Sequence, residues 1–219
     1  MILTGIIMVL TTYYLGAFLQ KKPPFSHLNP LLFSMILCII ILSIGNISFD
    51  QFNKGGRIIS LFLPPATASL ALSIYRQRHL LRSSLIPVIA GCFTGSLSSI
   101  LSILLLCRLF GFSSVLTRTL LPKSVTTPIA MDISRHLGGI PSITVAAVII
   151  TGITGNLLCS WLIRCLNIEH PSASGIAIGT SSHAIGTAKA LELGEIQGAM
   201  SGIAIGISGI LTVILLLFL

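Results

Sequence analysis

Six predominantly apolar stretches of the chain run for 18 or more positions without a charged residue: Met1–Gln20, Leu28–Phe49, Ile58–Tyr75, Ser83–Cys107, Ile140–Ile163 and Ile196–Leu219; Pro171–Ala188 is as long and uncharged but rich in Ser, Thr and Gly. About 20 apolar residues in helical form cross the hydrocarbon layer of a bilayer. Backbone surrounded by lipid must satisfy its own hydrogen bonds, so such stretches can only be helices. Composition removes the soluble alternative. Charged residues are 8% and hydrophobic residues 53% of the 219, with a mean hydropathy of +1.01, whereas an ordinary soluble domain carries about 25% charged residues. The expected fold class is an all-α integral membrane protein, one domain over residues 1–219. It has about six full transmembrane helices plus two polar segments that are broken or re-entrant. The first run has no charged leader and no clear small-residue cleavage site, so it reads as a retained helix.

The formal net charge of +8 raises the question of nucleic acid. The basic residues sit singly or in short runs between apolar blocks, as membrane-flanking anchors do, so the bilayer is the expected partner and nucleic acid is not. If all eight segments cross, one side receives Lys21, Lys22, Arg76, Arg78, Arg82, Arg135 and Lys189, and the other Lys54, Arg57, Arg108, Arg118 and Arg164. That excess puts both termini outside. The five cysteines form no CxxC pair and read as small buried hydrophobes; neither a disulfide framework nor a metal site is expected. Only five acidic residues are present, and no HExxH, GxSxG or P-loop motif, so the chain does not read as an enzyme or as a cofactor binder.

Two stretches break the apolar pattern. Leu120–Pro141 (LLPKSVTTPIAMDISRHLGGIP) carries Pro122, Lys123 and Pro128 within a segment too short and too polar for an ordinary span. Ile178–Glu195 (IGTSSHAIGTAKALELGE) is rich in Ser, Thr and Gly. Non-helical backbone at membrane depth is tolerated only against protein or a water-filled cavity. An internal repeat accompanies them. Phe62–Ile74, with its helix-breaking Pro64-Pro65, aligns with Leu120–Asp132 at an offset of 58, and each is followed by a basic turn and a long apolar run containing Gly91–Gly95 or Gly152–Gly155. A fainter match sets Leu193–Ile196 against Leu137–Ile140. The repeat-like units are about 58–112, 116–168 and 172–219. Interrupted hydrophobic segments at matching places are a transporter pattern, with the site between the repeats.

A broken helix offers an anion the amides and the positive dipole end of its new N-terminus. Lys123, Ser124, Thr126, Thr127 and Pro128 surround the first break, and Thr180, Ser181, Ser182, His183 and Lys189 supply donors from the second stretch. Together they suit a small carboxylate better than a metal or a nucleotide. An ionisable residue within a membrane segment is a functional candidate, although Lys123 also fits a snorkelling anchor, Lys189 a helix end beside Glu192 and Glu195, and His183 a structural hydrogen bond between helices. His183 and Asp132 are candidates for proton coupling, Asp132 equally for a pair with Arg135. The other histidines, His27, His79, His136 and His170, stand at segment ends and read as surface residues. Gly194, Gly198, Gly202 and Gly206 recur every fourth residue, as do Gly175/Gly179 and Gly91/Gly95. Such spacing serves close helix packing, within the monomer or in a homo-oligomer.

Leu121–Met131 (LPKSVTTPIAM), Gly138–Pro141 (GGIP), Gly179–Ala188 (GTSSHAIGTA) and Asn29–Leu32 (NPLL) together resemble the LrgB/CidB (YohK-like) family, over nearly the whole chain. The resemblance implies one of two roles. Members were described as antiholin-like or holin-like proteins that modulate murein hydrolases and autolysis, often beside a small LrgA/CidA-type membrane partner. Relatives also include the plastid glycolate/glycerate translocator and bacterial systems linked to pyruvate uptake. The expectation is therefore a transporter of small monocarboxylates of glycolate, glycerate, pyruvate or lactate type in a bacterial inner membrane. The alternative is an antiholin/holin-like regulator of murein hydrolase activity and autolysis.

Overall fold

The computed structural model describes residues 2–24, 30–62, 65, 68, 72, 75 and 78–217. Ten helices are found among them: α1 (Ile2–Gln20), α2 (Pro30–Ile44), α3 (Phe49–Ser60), α4 (Arg78–Ser83), α5 (Leu85–Leu109), α6 (Ser114–Leu120), α7 (Thr127–His136), α8 (Pro141–Cys165), α9 (Pro171–Leu193) and α10 (Glu195–Leu216). Four of these, α1, α5, α8 and α10, are long and apolar enough to cross a membrane. The expected count of about six full spans is therefore not what the described residues give. The Leu28–Phe49 run yields a helix of only 15 residues, because the chain leaves helical geometry at Gly45-Asn46. The Ile58–Tyr75 run, Pro64 and the first arm of the repeat lie mostly outside the described residues, as does His27. The chain divides into two compact units, Met1–Ala66 and Thr67–Leu219.

In the first unit α1 packs against α2 and α3. Lipid tails are as apolar as leucine, so helices in a membrane are held by close packing and by hydrogen bonds between them. Both are present. Thr12 Oγ1 lies 2.8 Å from Ser34 Oγ and 3.3 Å from Cys38 Sγ, and a Cβ on Gly5 would stand 2.7 Å from the Phe52 carbonyl oxygen. Asp50–Arg57, whose charges and Gly55-Gly56 favour a loop locally, is helical in α3. Ser48 caps that helix by accepting the Gln51 amide, Asp50 and Arg57 stand at the ends that the dipole favours, and Gly55 lets α3 approach Gly5 of α1. The basic stretch ending at Arg82 likewise becomes α4 from Arg78 on.

The second unit is built on α5, α8 and α10 with two helical hairpins between them. In the first hairpin, α6 runs inward, the chain turns over residues 121–126, and α7 runs back. Thr119 of α6 and Ser134 of α7 both bond Thr144 of α8, at 2.8 and 2.7 Å. Farther along α8, Val148 packs with Val125 at the turn and Ala130 of α7. The second hairpin is α9 itself, whose backbone leaves helical geometry at His183 (φ 42°, ψ −142°). Its first arm runs with α10, since Gly175 meets Gln197 and Met200 while Gly179 meets Ser201 and Ala204. The second arm runs against α10: Thr187 Oγ1 is 2.7 Å from Ser201 Oγ, and Leu191 meets Gly198.

The hairpins enter this unit from opposite ends. Helix α8 is antiparallel to the first arm of α9, because Gly155 faces Ser182 while Cys159 packs with Ile178. Helix α5 is parallel to that arm and to α10, with Gly91 by Ile176, Gly95 by Thr180, and Cys92 Sγ by the Ala204 carbonyl. Helix stops follow one device at four places. Asn46, Gly111, Gly138 and Asn167 have positive φ, and the next residue donates to the carbonyl five positions back: Ile47 to Leu42, Phe112 to Cys107, Gly139 to Ser134 and Ile168 to Ile163.

Because the chain doubles back twice, the eight-crossing charge tally does not describe this unit. Arg164 lies at the end that carries Arg78, Arg82 and Lys189, while Arg135 joins Arg108 and Arg118 at the other. The glycine row of α10 is also unequal: Gly198 is in close contact with Leu191, whereas Gly202 faces nothing within 4 Å.

Candidate functional site

A cavity of about 1200 Å³ opens beside the two hairpin tips. One wall is α5, whose Thr94, Ser98, Ser99 and Ser102 follow helical spacing on a single face. The facing wall is α8, with Thr151, Thr154 and Gly155, and the first arm of α9 contributes Ser172, Thr180, Ser181 and Ser182. The turn of the first hairpin supplies Lys123 and Ser124. Among the lining residues Lys123 is the one lysine or arginine, and none is acidic. Its ammonium donates to Ser124 Oγ at 3.2 Å, and that hydroxyl lies 2.7 Å from Ser99 Oγ. A half-buried cation in a cavity lined by hydroxyls, with no carboxylate among the lining residues, is a setting for a small anion.

The turn is bounded by Pro122, which has no amide to carry α6 onward, and by Pro128, which suits the first turn of α7. Lys123 N and Val125 N close tight turns on Leu120 and Pro122. Thr126 is the N-cap of α7, yet its hydroxyl does not cap, and Thr126 Oγ1 is buried without a partner among the described residues. Thr127 and Pro128 begin that helix, so its positive dipole end adjoins Lys123.

The second tip is held from three sides. Positive φ on a non-glycine residue costs of the order of 1–3 kcal/mol and persists only where the surroundings impose it. The buried His183 ring donates from Nε2 to the Val148 carbonyl at 3.0 Å. Asn156 Nδ2 donates to Ile185 O at 2.9 Å, and Thr187 Oγ1 to His183 O at 3.0 Å. Glycine is required opposite: a Cβ on Gly152 would stand 2.6 Å from the His183 ring, and one on Gly155 would overlap Ser182.

Of the residues singled out in the sequence, the cavity brings together Lys123, Ser124, Thr180, Ser181 and Ser182. His183 sits at the tip but turns its ring into α8. Lys189 is outside, 2.7 Å from Glu192 in a surface ion pair. Asp132 pairs with Arg135 at 3.1 Å, both exposed. The hydroxyl face of α5 and Thr151 and Thr154 of α8 were not singled out. Their signal is there in the Gly91, Thr94/Gly95, Ser98/Ser99, Ser102 spacing, a polar stripe on a helix otherwise apolar all round.

A family model described as LrgB-like family matches residues 9–219. Proteins named antiholin-like protein LrgB from Bacillus cereus (strain B4264) and from Bacillus anthracis (strain CDC 684 / NRRL 3495) are each 35% identical over 213 residues, covering 97% of this chain and 93% of theirs. No solved structure matches the chain.

Proposed function

The chain belongs to the LrgB-like family, and from that premise we propose that it acts as an antiholin-like protein of a bacterial inner membrane, regulating murein hydrolase activity and autolysis. The observation that carries this reading is the 35% identity, over nearly the full length of both chains, to proteins so named.

A second reading, favoured by the geometry of the cavity, is transport of small monocarboxylates of glycolate, glycerate, pyruvate or lactate type. On this reading Lys123 takes the carboxylate, and Ser124, Thr180, Ser181 and Ser182 bond the rest of the anion. Thr126, Thr127 and Pro128 present the start of α7, and His183 couples the hairpin tip to the load. Asp132 and Lys189, paired at the surface, stay outside the binding step. Two interrupted helical segments that approach each other from opposite ends are how alternating-access carriers are built, whereas a lesion-forming protein has no need of a lone cation in a hydroxyl cage. A small LrgA/CidA-type protein or a second copy of the chain is the expected company in either case.

Uptake of labelled glycolate and pyruvate into proteoliposomes, by the chain alone and with an LrgA-type partner, separates the two. Saturable uptake supports the carrier, and uptake only with the partner makes the chain the anion-binding half of a complex. Absence of uptake under both conditions, together with altered autolysis and hydrolase release in cells lacking the chain, supports the regulator and defeats the carrier.

A further inference from the structure

We propose that the first unit holds an anionic phospholipid, with one acyl chain seated between α1, α2 and α3 and the headgroup against Lys54 and Arg57. The unit contains a second cavity, of about 370 Å³, far from the hairpin tips in sequence and built from other helices. Its walls are Thr4, Gly5, Ile7 and Met8 of α1, Ile41 of α2, Ile47, and Gln51 and Phe52 of α3. The lining is almost wholly apolar, the chemistry of a hydrocarbon chain and not of a solvated metabolite.

What covers it is set by α3. That helix packs through Phe52 and Gly55 against Gly5 of α1. Asp50, Lys54 and Arg57 recur at four- and three-residue spacing, so they form one outward stripe. Beside that stripe stand the exposed Phe49 and Ile58, and the exposed Leu61 and Phe62 follow the end of α3. Charged residues along one line and bulky apolar ones on both flanks are the pattern of a helix lying in the headgroup layer. Lys54 and Arg57 make no ion pair among the described residues; the two ion pairs found there are Asp132–Arg135 and Lys189–Glu192. Gln51, at the cavity wall, is one turn from Lys54 on the same side of α3. The stripe carries two cations and one anion, which complements the phosphate headgroup of a lipid whose acyl chain enters the apolar cavity beside Gln51.

The test uses the full chain purified in a neutral detergent, with phosphatidylglycerol or phosphatidylcholine added back, read by thermal stability and by lipid retained in native mass spectrometry. The wild type is expected to retain phosphatidylglycerol over phosphatidylcholine and to gain stability from it. Met8→Trp, which fills the cavity, is expected to abolish retention of both. The exposed double change Lys54→Ala with Arg57→Ala leaves the packing of α3 untouched, so it remains informative even if Met8→Trp fails to fold. It is expected to erase the preference for phosphatidylglycerol while the chain stays folded. Equal retention of the two lipids by the wild type, or an unchanged preference in the double variant, overturns the proposal.

Discussion

Each glycine of this chain is best judged by what a methyl group would strike. At Gly155 it would overlap Ser182, and at Gly152 it would meet the His183 ring and Ile185; at Gly202 it would meet nothing within 4 Å. Gly155→Ala should therefore destabilise the α8–α9 contact by about 1–3 kcal/mol through overpacking. Gly202→Ala should be neutral or stabilising by about 0.5–1 kcal/mol, the helical advantage of alanine over glycine. Heating the purified variants and following the folded fraction checks both signs at once, and the same sign at both sites contradicts the packing. Lys123→Ala belongs to this scale too. If the chain carries a monocarboxylate, saturable uptake should be lost at unchanged protein level, because no other lysine or arginine lines the cavity. Unaltered uptake by this variant removes Lys123 from the site.

At the scale of the element, the hairpins are where the polar residues do structural duty. Thr144 Oγ1 lies within hydrogen-bond distance of Thr119 O and of Ser134 Oγ and so ties both arms of the first hairpin to α8. Thr144→Val keeps the shape and strips the donor, leaving the buried Ser134 and Thr119 groups short of a partner, a loss of about 1–3 kcal/mol. Thr126→Val removes a hydroxyl that has no partner among the described residues and should cost far less in stability. Comparing the two variants by thermal denaturation separates a threonine that ties elements together from one whose hydroxyl bonds nothing among the described residues; equal losses contradict that division. The sequence makes these elements legible in part. Proline and lysine inside a run of threonine and serine mark the first break, and a histidine among glycines and serines marks the second. It does not say that the chain doubles back at each, because reversal is decided by which arm meets α8 or α10, and pairwise contact leaves no trace in hydropathy. Nor does polarity alone say which way a side chain faces. Lys123 and Lys189 are the same polar residue, and only the nearby Glu192 and Glu195 set Lys189 apart in the sequence; one lines a cavity and the other meets Glu192 at the surface. Helix α3 was hidden for a related reason. Two adjacent glycines and three charges argue for a loop locally, but a Ser48 cap and a glycine-to-glycine approach to α1 outweigh them.

For the second unit as a whole, the two hairpins make a definite statement about access. The cavity is lined by α5 from Ser84 to Ser102, by α8 from Thr151 to Leu162, and by α9 from the His170 end to Ser182. Ser84, Leu162 and His170 all lie at one end of the unit, and Lys123 and Ser124 line the cavity deeper in. Access is therefore expected from the end where α8 finishes, which is marked by the exposed native Cys165. The other four cysteines are buried, so a Cys165→Ser background presents no other exposed thiol. In that background Ser172→Cys and Thr154→Cys should react with a membrane-impermeant maleimide from the side on which Cys165 reacts in the parent. Ser114→Cys, at the exposed start of α6, should react from the opposite side only. If Thr154→Cys is instead reached from the Ser114 side, the path to Lys123 runs the other way. If Ser114→Cys and Ser172→Cys label from the same side, the hairpins do not enter from opposite ends, and the carrier reading loses the opposed arrangement on which it depends.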